Sequence, residues 1–283
     1  MIKKLLGAFA LMLSGTVAFA AGGTYPLERA PHRINDLAAL QNGAKIFVNN
    51  CLNCHSANSM RYNKLTELGL TDEQIVDNLL FTGDKVGDLM KIAMTPADAK
   101  TWFGTTPPDL SVIARAKSIN AGPSGADYIY TYLRTFYRDA SKKTGWDNLV
   151  FPNVGMPHVL WKDQGPRELT TVATHQVTGA DGKHSWEKVT TVYDANGYTT
   201  VEKEALPDGH HGHATVEHRF TPKDPARAAQ YDRDVADLTA FLSWMAEPQQ
   251  QFRKQLGVWV LLFLALFLVV AWRLNASFWK HVK

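Results

Sequence analysis

The two cysteines of this chain lie three positions apart, in the segment Cys51-Leu52-Asn53-Cys54-His55, and the sequence contains no others. CxxCH is the spacing at which a c-type haem is attached to a protein. Each thiol can form a thioether with a haem vinyl group, and the adjacent imidazole can reach the iron as an axial ligand. The motif therefore predicts one haem c, bound covalently through Cys51 and Cys54, with His55 on the iron.

Other interpretations of this spacing fit the chain less well. A thioredoxin-like redox pair belongs in a βαβ context, and no such alternation surrounds Cys51 and Cys54. A zinc site needs a second pair of thiolate or imidazole ligands at a defined spacing, and the chain has no further cysteine. Chance occurrence stays open at this point, because short motifs have false positives.

The N-terminus has the three parts of a secretory signal peptide. A positively charged start is followed by an apolar run from Leu5 to Phe19 and by the small-residue cleavage site Ala18-Phe19-Ala20. We expect residues 1–20 to be removed, so that the mature chain begins at Ala21 outside the cytoplasm. An uncleaved N-terminal anchor is the alternative, but the apolar run is short for a membrane span.

Removal of the signal also changes the charge of the chain. The full sequence has a formal net charge of +3, and the loss of Lys3 and Lys4 lowers it to +1. No strong basic balance remains, so nucleic acid is not a predicted partner.

An unbroken run of apolar residues and glycine extends from Leu256 to Trp272. At about 1.5 Å per residue it covers about 25 Å, slightly less than a hydrocarbon core of about 30 Å, so the helix must extend or its flanking side chains must snorkel. We predict a transmembrane helix over residues 256–274, because a buried core helix is rarely apolar on every face for this length. After export of the N-terminus this span stops transfer, leaving residues 21–255 in the periplasm and residues 275–283 as a cytoplasmic tail.

Between these ends the sequence pattern is mainly helical. Thr71 begins a capping box, Thr95-Pro96 combines a cap with a first-turn proline, and residues 125–137 repeat apolar side chains at helical spacing. From about residue 168 to residue 220, threonine and valine alternate with polar residues, which predicts short antiparallel strands. The predicted fold is mainly α: a cytochrome c-type haem domain with a small β-hairpin excursion at about 168–220 and one C-terminal transmembrane helix.

Two turn signals divide the predicted excursion, one at residues 179–182 and one at residues 194–197. The second contains Asn196-Gly197, a favoured pair for a two-residue type I′ hairpin turn. Neither segment continues the strand pattern, so each predicts a reversal of the chain.

Histidines cluster late in the excursion, with His210, His211 and His213 in a glycine-rich run and His218 beyond it. Clustered histidines can bind zinc or copper. Because the glycines would leave such ligands unorganised, a polar loop is the preferred interpretation. The role of the cluster stays open.

A histidine-ligated haem iron has a second axial position, and its occupant separates electron transfer from oxygen or peroxide chemistry. Met90 and Met94 are four positions apart among other apolar residues, which favours core packing. Met156 instead lies between a glycine and a proline, which allow close backbone approach and favour extended geometry. We predict Met156 as the distal ligand, with His158 as the alternative that would give a bis-histidine haem.

The haem propionates are anionic and need charge-assisted donors. The run Pro107-Pro108-Asp109-Leu110-Ser111 begins a segment that carries Arg115 and Lys117, and Tyr128 follows on the next predicted helix. These three residues are the candidates for propionate contacts, with ordinary solvated surface as the alternative. Arg115 and Lys117 are two positions apart, so they should not both face the same way on a helix.

Several short motifs follow one another along nearly the whole mature chain. In order they are Cys51–Ser56, Pro107–Ser111 (PPDLS), Asp127-Tyr128, Gly155–Pro157, and Trp244–Pro248 (WMAEP) with Arg253, between a signal peptide and a C-terminal span. This order resembles the cytochrome c1 family, the haem subunit of the ubiquinol:cytochrome c oxidoreductase, or respiratory complex III. The PPDLS run and the AEP sequence before the span are much more specific than CxxCH.

The resemblance implies a cytochrome c fold with an exposed haem edge in a single-pass protein of the bacterial inner membrane. It implies that the haem accepts an electron from a Rieske iron–sulfur protein and passes it to a soluble cytochrome c. It further implies assembly with cytochrome b in a dimeric complex that oxidises quinol as a whole, the chain having no substrate-converting site of its own. The threonine-rich segment at 168–220 departs from the family pattern.

Two other functions compete with this interpretation. One is a free-standing membrane-anchored cytochrome c that donates to a terminal oxidase. The other is a haem enzyme or gas sensor with an open sixth position on the iron. The identity of the acceptor, the potential and the docking surface are open, since Asp72, Glu73 and Asp77 fit an acidic patch or an ordinary solvated helix face.

Overall fold

A computed structural model of the chain describes residues 25–178, 184–207 and 213–281. The predicted signal peptide, residues 1–20, lies outside this part of the chain. The helices are α1 Leu37–Ile46, α2 Asp72–Asn78, α3 Pro96–Phe103, α4 Ile113–Ala116, α5 Gly125–Arg134, α6 Trp161–Gln164, α7 Pro225–Ala246 and α8 Gln250–Phe278. A π-helical turn, Phe47–Cys51, continues α1, and 3-10 turns cover Tyr62–Leu68 and Trp279–His281.

The strands are arranged in two small pairs and one larger sheet. They are β1 Ala57–Arg61, β2 Leu89–Met90, β3 Phe136–Arg138, β4 Trp146–Asn148, β5 Arg167–Thr178, β6 His184–Tyr193, β7 Thr199–Ala205 and β8 Thr215–Pro222. β1 pairs with β2 and β3 pairs with β4, and the last four strands form one antiparallel sheet in the order β7-β6-β5-β8.

The core forms where α1 crosses α7. Phe47 at the end of α1 packs on Phe241 of α7, with 5.6 Å between the ring centroids. Gly43 faces α7 so closely that a Cβ there would overlap the carbonyl oxygen of Asp237. Because only a hydrogen fits at Gly43, the two backbones meet directly and large side chains gather around the crossing. Those that are almost completely buried include Tyr62, Tyr231, Phe47 and Phe241.

The predicted helix starts are present with their caps. Thr71 and Gln74 form a reciprocal capping box at α2, and Thr95 and Asp98 do the same at α3, where Pro96 occupies the first turn. Each box satisfies backbone N–H groups that the first helical turn leaves unpaired. These local signals therefore place the helix starts correctly.

The helix predicted over residues 125–137 is shorter than its apolar pattern. α5 ends at Arg134, and Phe136–Arg138 pairs with Trp146–Asn148 as a strand instead. Met90 and Met94 also share no helix: Met90 is fully buried on β2, whereas Met94 is half-buried in the loop that follows. In both places pairing with a partner strand takes precedence over the local pattern.

The predicted β excursion is the four-stranded sheet. β5 is its long central strand, and it pairs from Leu169 opposite Tyr193 to Thr178 opposite His184. The sheet is joined to the helical domain at its inner end, where Tyr193 lies 4.8 Å from the ring of Tyr137 and Leu169 is buried. The turn predicted at residues 179–182 lies outside the described residues.

The connection between β6 and β7 is not the expected two-residue type I′ turn. Only Gly197 has a positive φ, 93°, and the carboxylate of Asp194 accepts hydrogen bonds from the N–H groups of Asn196 and Tyr198. The side chain of Asp194 therefore organises a five-residue loop over 194–198. Gly197 is also needed for packing, because a Cβ there would lie 2.9 Å from the backbone nitrogen of Ala140.

α8 is the only helix in the described ranges that is long and apolar enough to cross a membrane. It has 29 residues and a mean hydropathy of 2.4 over its most apolar window, and none of its residues is buried. The helix extends beyond both ends of the apolar run at Leu256–Trp272. The mainly helical fold with a β excursion and one C-terminal apolar helix is thus confirmed.

Candidate haem-binding site

The CxxCH segment forms one tight turn at the end of the first helix. α1 passes into the π-helical turn Phe47–Cys51, and the N–H of Leu52 donates to the carbonyl of Phe47 at 3.0 Å. The N–H groups of Cys54 and His55 both donate to the carbonyl of Cys51, at 3.1 Å and 2.9 Å. The turn holds the backbones of Cys51, Cys54 and His55 close together, as covalent haem attachment requires.

His55 is oriented by a backbone carbonyl. Its Nδ1 lies 2.7 Å from the carbonyl oxygen of Pro108, and Nε2 has no hydrogen bond to any described residue. Burial lowers the pKa of His55, which favours the neutral imidazole. With Nδ1 as the donor to Pro108, the lone pair of Nε2 is free to coordinate a metal.

The PPDLS run is attached to the residues after His55 by a set of hydrogen bonds. The Asp109 carboxylate accepts from the N–H groups of Asn58 and Ser111, at 2.7 Å and 2.8 Å. The N–H of Leu110 donates to the carbonyl of Ser56 at 2.9 Å. These bonds fix the carbonyl of Pro108 relative to the CxxCH turn.

Both cysteines of the turn are half-buried. Burial, with a smaller contribution from Cys54, raises the pKa of Cys51 to about 12, which disfavours a thiolate. No group of three or more His, Cys, Asp or Glu side chains within the described ranges is placed to hold a metal ion. The donors present here therefore suit haem c and not zinc.

Met156 lies in a loop that faces α5. The hydroxyl of Tyr132 donates a hydrogen bond to the Met156 Sδ at 3.5 Å, and the Met156 side chain is half-buried. Burial, with a smaller effect of Tyr128, raises the pKa of Tyr132, so the phenol is protonated and can donate. The loop is held at its start, where the N–H of Asn153 donates to the Asp147 carboxylate at 2.6 Å.

His158, the alternative ligand, is enclosed by aromatic rings. Its ring is 2% exposed and stacks on Phe136 with 4.8 Å between centroids. Trp146 and Tyr231 meet it edge-on at 4.9 Å and 6.1 Å. Burial, assisted by the charge of Arg167, lowers the pKa of His158 to about 3. Neither ring nitrogen makes a hydrogen bond within the described residues, and the ring is enclosed by this aromatic cluster.

Two of the three candidate propionate residues lie together. The Nζ of Lys117 lies 4.7 Å from the centroid of the Tyr128 ring. Arg115 pairs instead with Glu247 at the end of α7, at 3.5 Å. The side chains of Arg115 and Lys117 thus point to different neighbours, as expected from their spacing. Lys117 contacts Tyr128, whereas Arg115 contacts Glu247.

Three participants in this site are not among the site residues predicted from the sequence. They are the Pro108 carbonyl, the Ser56 backbone and Tyr132. The four-residue spacing of Tyr128 and Tyr132 on one helix is a signal that could have indicated Tyr132. The other two act through backbone atoms, which a residue pattern does not show.

The histidine cluster of the excursion does not form a described site. His210 and His211 lie outside the described residues, and His213 is exposed. His218 is half-buried, with its Nδ1 3.0 Å from the Thr171 hydroxyl and its ring 5.5 Å from that of Tyr25.

A haem-attachment turn on a mainly helical domain, followed by an apolar helix long enough to cross a membrane, defines a membrane-anchored c-type cytochrome. The model of the Cytochrome C1 family matches residues 29–282. Cytochrome c1 of Allochromatium vinosum is 37% identical over 282 residues, 99% of this chain and 100% of that protein. The chain belongs to the cytochrome c1 family.

Two further relatives show how far the similarity extends. The ammonia monooxygenase gamma subunit of Nitrosomonas europaea is 38% identical over 282 residues, 100% of this chain and 99% of that protein. Cytochrome c1 of Rhodospirillum rubrum is 27% identical over 265 residues, 88% of this chain and 83% of that protein.

Family membership confirms the predicted cofactor, haem c, and the predicted role in electron transfer. The chain carries one haem c, attached through its only two cysteines, Cys51 and Cys54. It is a haem c electron-transfer subunit of the bc1 complex. The apolar helix α8 is its single-pass anchor, as befits a cytochrome c1 of a bacterial membrane.

Proposed function

We propose that this chain relays electrons from a Rieske iron–sulfur protein to a soluble cytochrome c, within a dimeric complex that also contains cytochrome b. The observation that carries the proposal is the orientation of His55 by the Pro108 carbonyl at 2.7 Å, inside the CxxCH turn. A histidine held in this way presents Nε2 in one direction, as a permanent axial ligand requires.

The proposed iron ligands are His55 and Met156. When bound, the haem supplies one-electron redox chemistry, and histidine–methionine ligation raises its potential. With both axial positions taken by side chains, no open coordination site remains for a substrate. Met156 is favoured over His158 because its thioether lies on a half-buried loop, whereas the His158 ring is packed among aromatic side chains.

Lys117 and Tyr128 are the proposed propionate contacts. The ammonium group lies over the Tyr128 ring, so a cation and a hydroxyl occur at one place beside α5. Such a pair can neutralise and hydrogen-bond a carboxylate. Arg115 has a different role in this proposal, because its partner is Glu247.

The proposed orientation places the haem domain in the periplasm. It depends on the signal peptide at residues 1–20 and on α8 acting as a stop-transfer helix. In this arrangement α8 holds the haem domain at the membrane surface, where quinol oxidation by cytochrome b would release its electrons.

A second candidate function comes from the relative in Nitrosomonas europaea. That protein is named as a subunit of ammonia monooxygenase, and its similarity covers the whole chain. By that analogy the chain would pass its electrons to a monooxygenase instead of to a soluble cytochrome c.

Purification of the native assembly in mild detergent separates the candidates. We expect a reduced-minus-oxidised spectrum with c-type and b-type haem, and co-purification of cytochrome b and a Rieske protein. Co-purification with monooxygenase subunits would support the second candidate, and isolation of a lone subunit would support a free-standing cytochrome. Rapid carbon monoxide binding by the reduced native protein would argue for an open sixth position and against Met156 ligation.

A further inference from the structure

Tyr132 is held from two sides by aromatic rings. It stacks on Tyr128, one turn earlier on α5, with 5.9 Å between centroids and 10° between planes. On the other side it meets Phe136 edge-on at 5.1 Å. These contacts leave the ring little freedom, so the direction of its hydroxyl is set by packing.

The hydroxyl of Tyr132 is directed at a sulfur atom. It lies 3.5 Å from Met156 Sδ, within the range of an O–H to sulfur hydrogen bond. The loop that carries Met156 is itself fixed near its start, where the Asp147 carboxylate accepts from the Asn153 N–H and pairs with Lys142 at 3.0 Å. Donor and acceptor are therefore both held by other contacts.

We propose that Tyr132 is a positioning residue for Met156, which it orients and electronically tunes through a hydrogen bond to the thioether sulfur. The inference rests on the proposed role of Met156 as axial ligand. A thioether sulfur is a weak acceptor with two lone pairs. If one lone pair accepts from Tyr132, the other is left in a defined direction for the iron.

The same hydrogen bond has a redox consequence. A donor at the sulfur draws electron density from the thioether and weakens its donation to ferric iron. Hydrogen bonding to an axial ligand is one of the means by which a protein sets haem potential. The Tyr132 hydroxyl should therefore favour the reduced state.

The packing of Tyr132 does not require a hydroxyl. A phenylalanine ring would make the same contacts with Tyr128 and Phe136, so the Tyr132→Phe variant removes only the O–H group. Tyr130→Phe is the matched control, since Tyr130 is on the same helix and its ring packs against the Arg134 guanidinium at 4.6 Å. Both variants replace a tyrosine of α5 by phenylalanine and lose one phenol oxygen.

The test measures the midpoint potential and the methionine-to-ferric-iron charge-transfer band of the full-length, haem-loaded protein in its complex. We expect Tyr132→Phe to lower the potential and shift the band, while Tyr130→Phe matches the wild type. A potential and a band unchanged in Tyr132→Phe would overturn the inference. If Tyr132→Phe binds less haem, the potential and the band are measured on its haem-loaded fraction, because both signals arise only from molecules that contain haem.

A Met156→Leu variant distinguishes this inference from the proposed ligation. If Met156→Leu loses the band while Tyr132→Phe keeps the wild-type band and potential, the role of Tyr132 is refuted and the ligand assignment of Met156 stands. A band and potential unchanged in Met156→Leu would refute the ligand assignment, and the role of Tyr132 with it.

Discussion

At the scale of single residues, the orientation of His55 depends on a backbone segment with little conformational freedom. The Pro108 carbonyl accepts a hydrogen bond from His55, and the rings of Pro107 and Pro108 restrict the φ angles of both residues. The next residue, Asp109, is held by two backbone N–H groups. The Pro108 carbonyl thus holds the His55 imidazole in one orientation.

The two possible distal ligands can be compared directly. Met156→Leu should remove a coordinating sulfur, lower the potential and let the reduced protein bind carbon monoxide. His158→Leu should leave the spectrum and potential unchanged, because the His158 ring lies within the aromatic cluster. Absorption spectroscopy and redox titration of both variants check this. The reverse result, with the His158 variant losing low-spin ligation, would assign a bis-histidine haem.

Lys117 and Arg115 provide another matched pair. Each substitution by methionine removes one positive charge, but only Lys117 lies against Tyr128. We expect Lys117→Met to lower the midpoint potential, because a propionate loses a cation that stabilises the reduced haem, whereas Arg115→Met leaves the potential close to wild type. Redox titration measures both. Equal shifts in the two variants would remove the special role of Lys117.

At the scale of helices and strands, short-range signals proved more informative than long-range ones. The capping boxes at Thr71 and Thr95 involve residues within one turn, so the sequence alone locates them. The end of α5 at Arg134 depends on pairing of Phe136–Arg138 with a strand ten residues later, which local periodicity does not contain. The Asp194 carboxylate similarly determines a loop that the Asn196-Gly197 pair alone misassigned.

The crossing of α1 and α7 allows a sharp stability test. Gly43→Ala places a methyl group against the backbone of α7, and overpacking of this kind costs about 1–3 kcal/mol. Gly87→Ala is the control, because a Cβ at Gly87 meets no atom within 4 Å. Denaturant unfolding of the two detergent-purified variants measures the difference. An unfolding free energy of Gly43→Ala equal to that of Gly87→Ala would show that the helices separate without cost.

The joint between α7 and α8 should be sensitive to pH. The Glu247 carboxylate accepts a hydrogen bond from Arg253 at 2.5 Å and forms an ion pair with Arg115. The hydrogen bond from Arg253 is the main reason that the pKa of Glu247 lies below its usual 4.5. A carboxyl with a lowered pKa in the folded state adds stability above its unfolded pKa, and this is lost as the pH falls through the folded value. The gain is therefore complete at neutral pH, well above the unfolded value of 4.5, and is lost in acid as the pH falls through the lowered folded value.

Glu247→Gln should accordingly lower the thermal unfolding midpoint at pH 7 and match the wild type in acid. Glu202→Gln, which removes an exposed carboxylate on β7, serves as the control. Thermal scans over a pH series measure the difference. A constant gap between Glu247→Gln and wild type down to acid pH would exclude the ionised carboxylate as its source.

At the scale of the whole molecule, the order of the motifs along the chain indicated the family and with it an electron-transfer function. CxxCH, PPDLS, GMP and AEP lie in separate parts of the chain, and the fold brings the first two into hydrogen-bonding contact. The contact between Tyr132 and Met156 could not be predicted, because it joins a helix to a loop through one 3.5 Å interaction. The attachment of the sheet to Tyr137 likewise depends on tertiary packing.

The apolar helix α8 should be separable from the rest of the chain. None of the residues of α8 is buried, so the haem domain should not depend on this helix for its core. A chain that ends at Gln255, after Arg253 and before the apolar run, should therefore export, attach haem and keep the wild-type spectrum and potential. It should leave the membrane fraction entirely, which haem staining of alkaline-washed membranes and of the soluble fraction measures. The full-length chain provides the comparison, and truncated protein retained on washed membranes would place the anchor elsewhere in the chain.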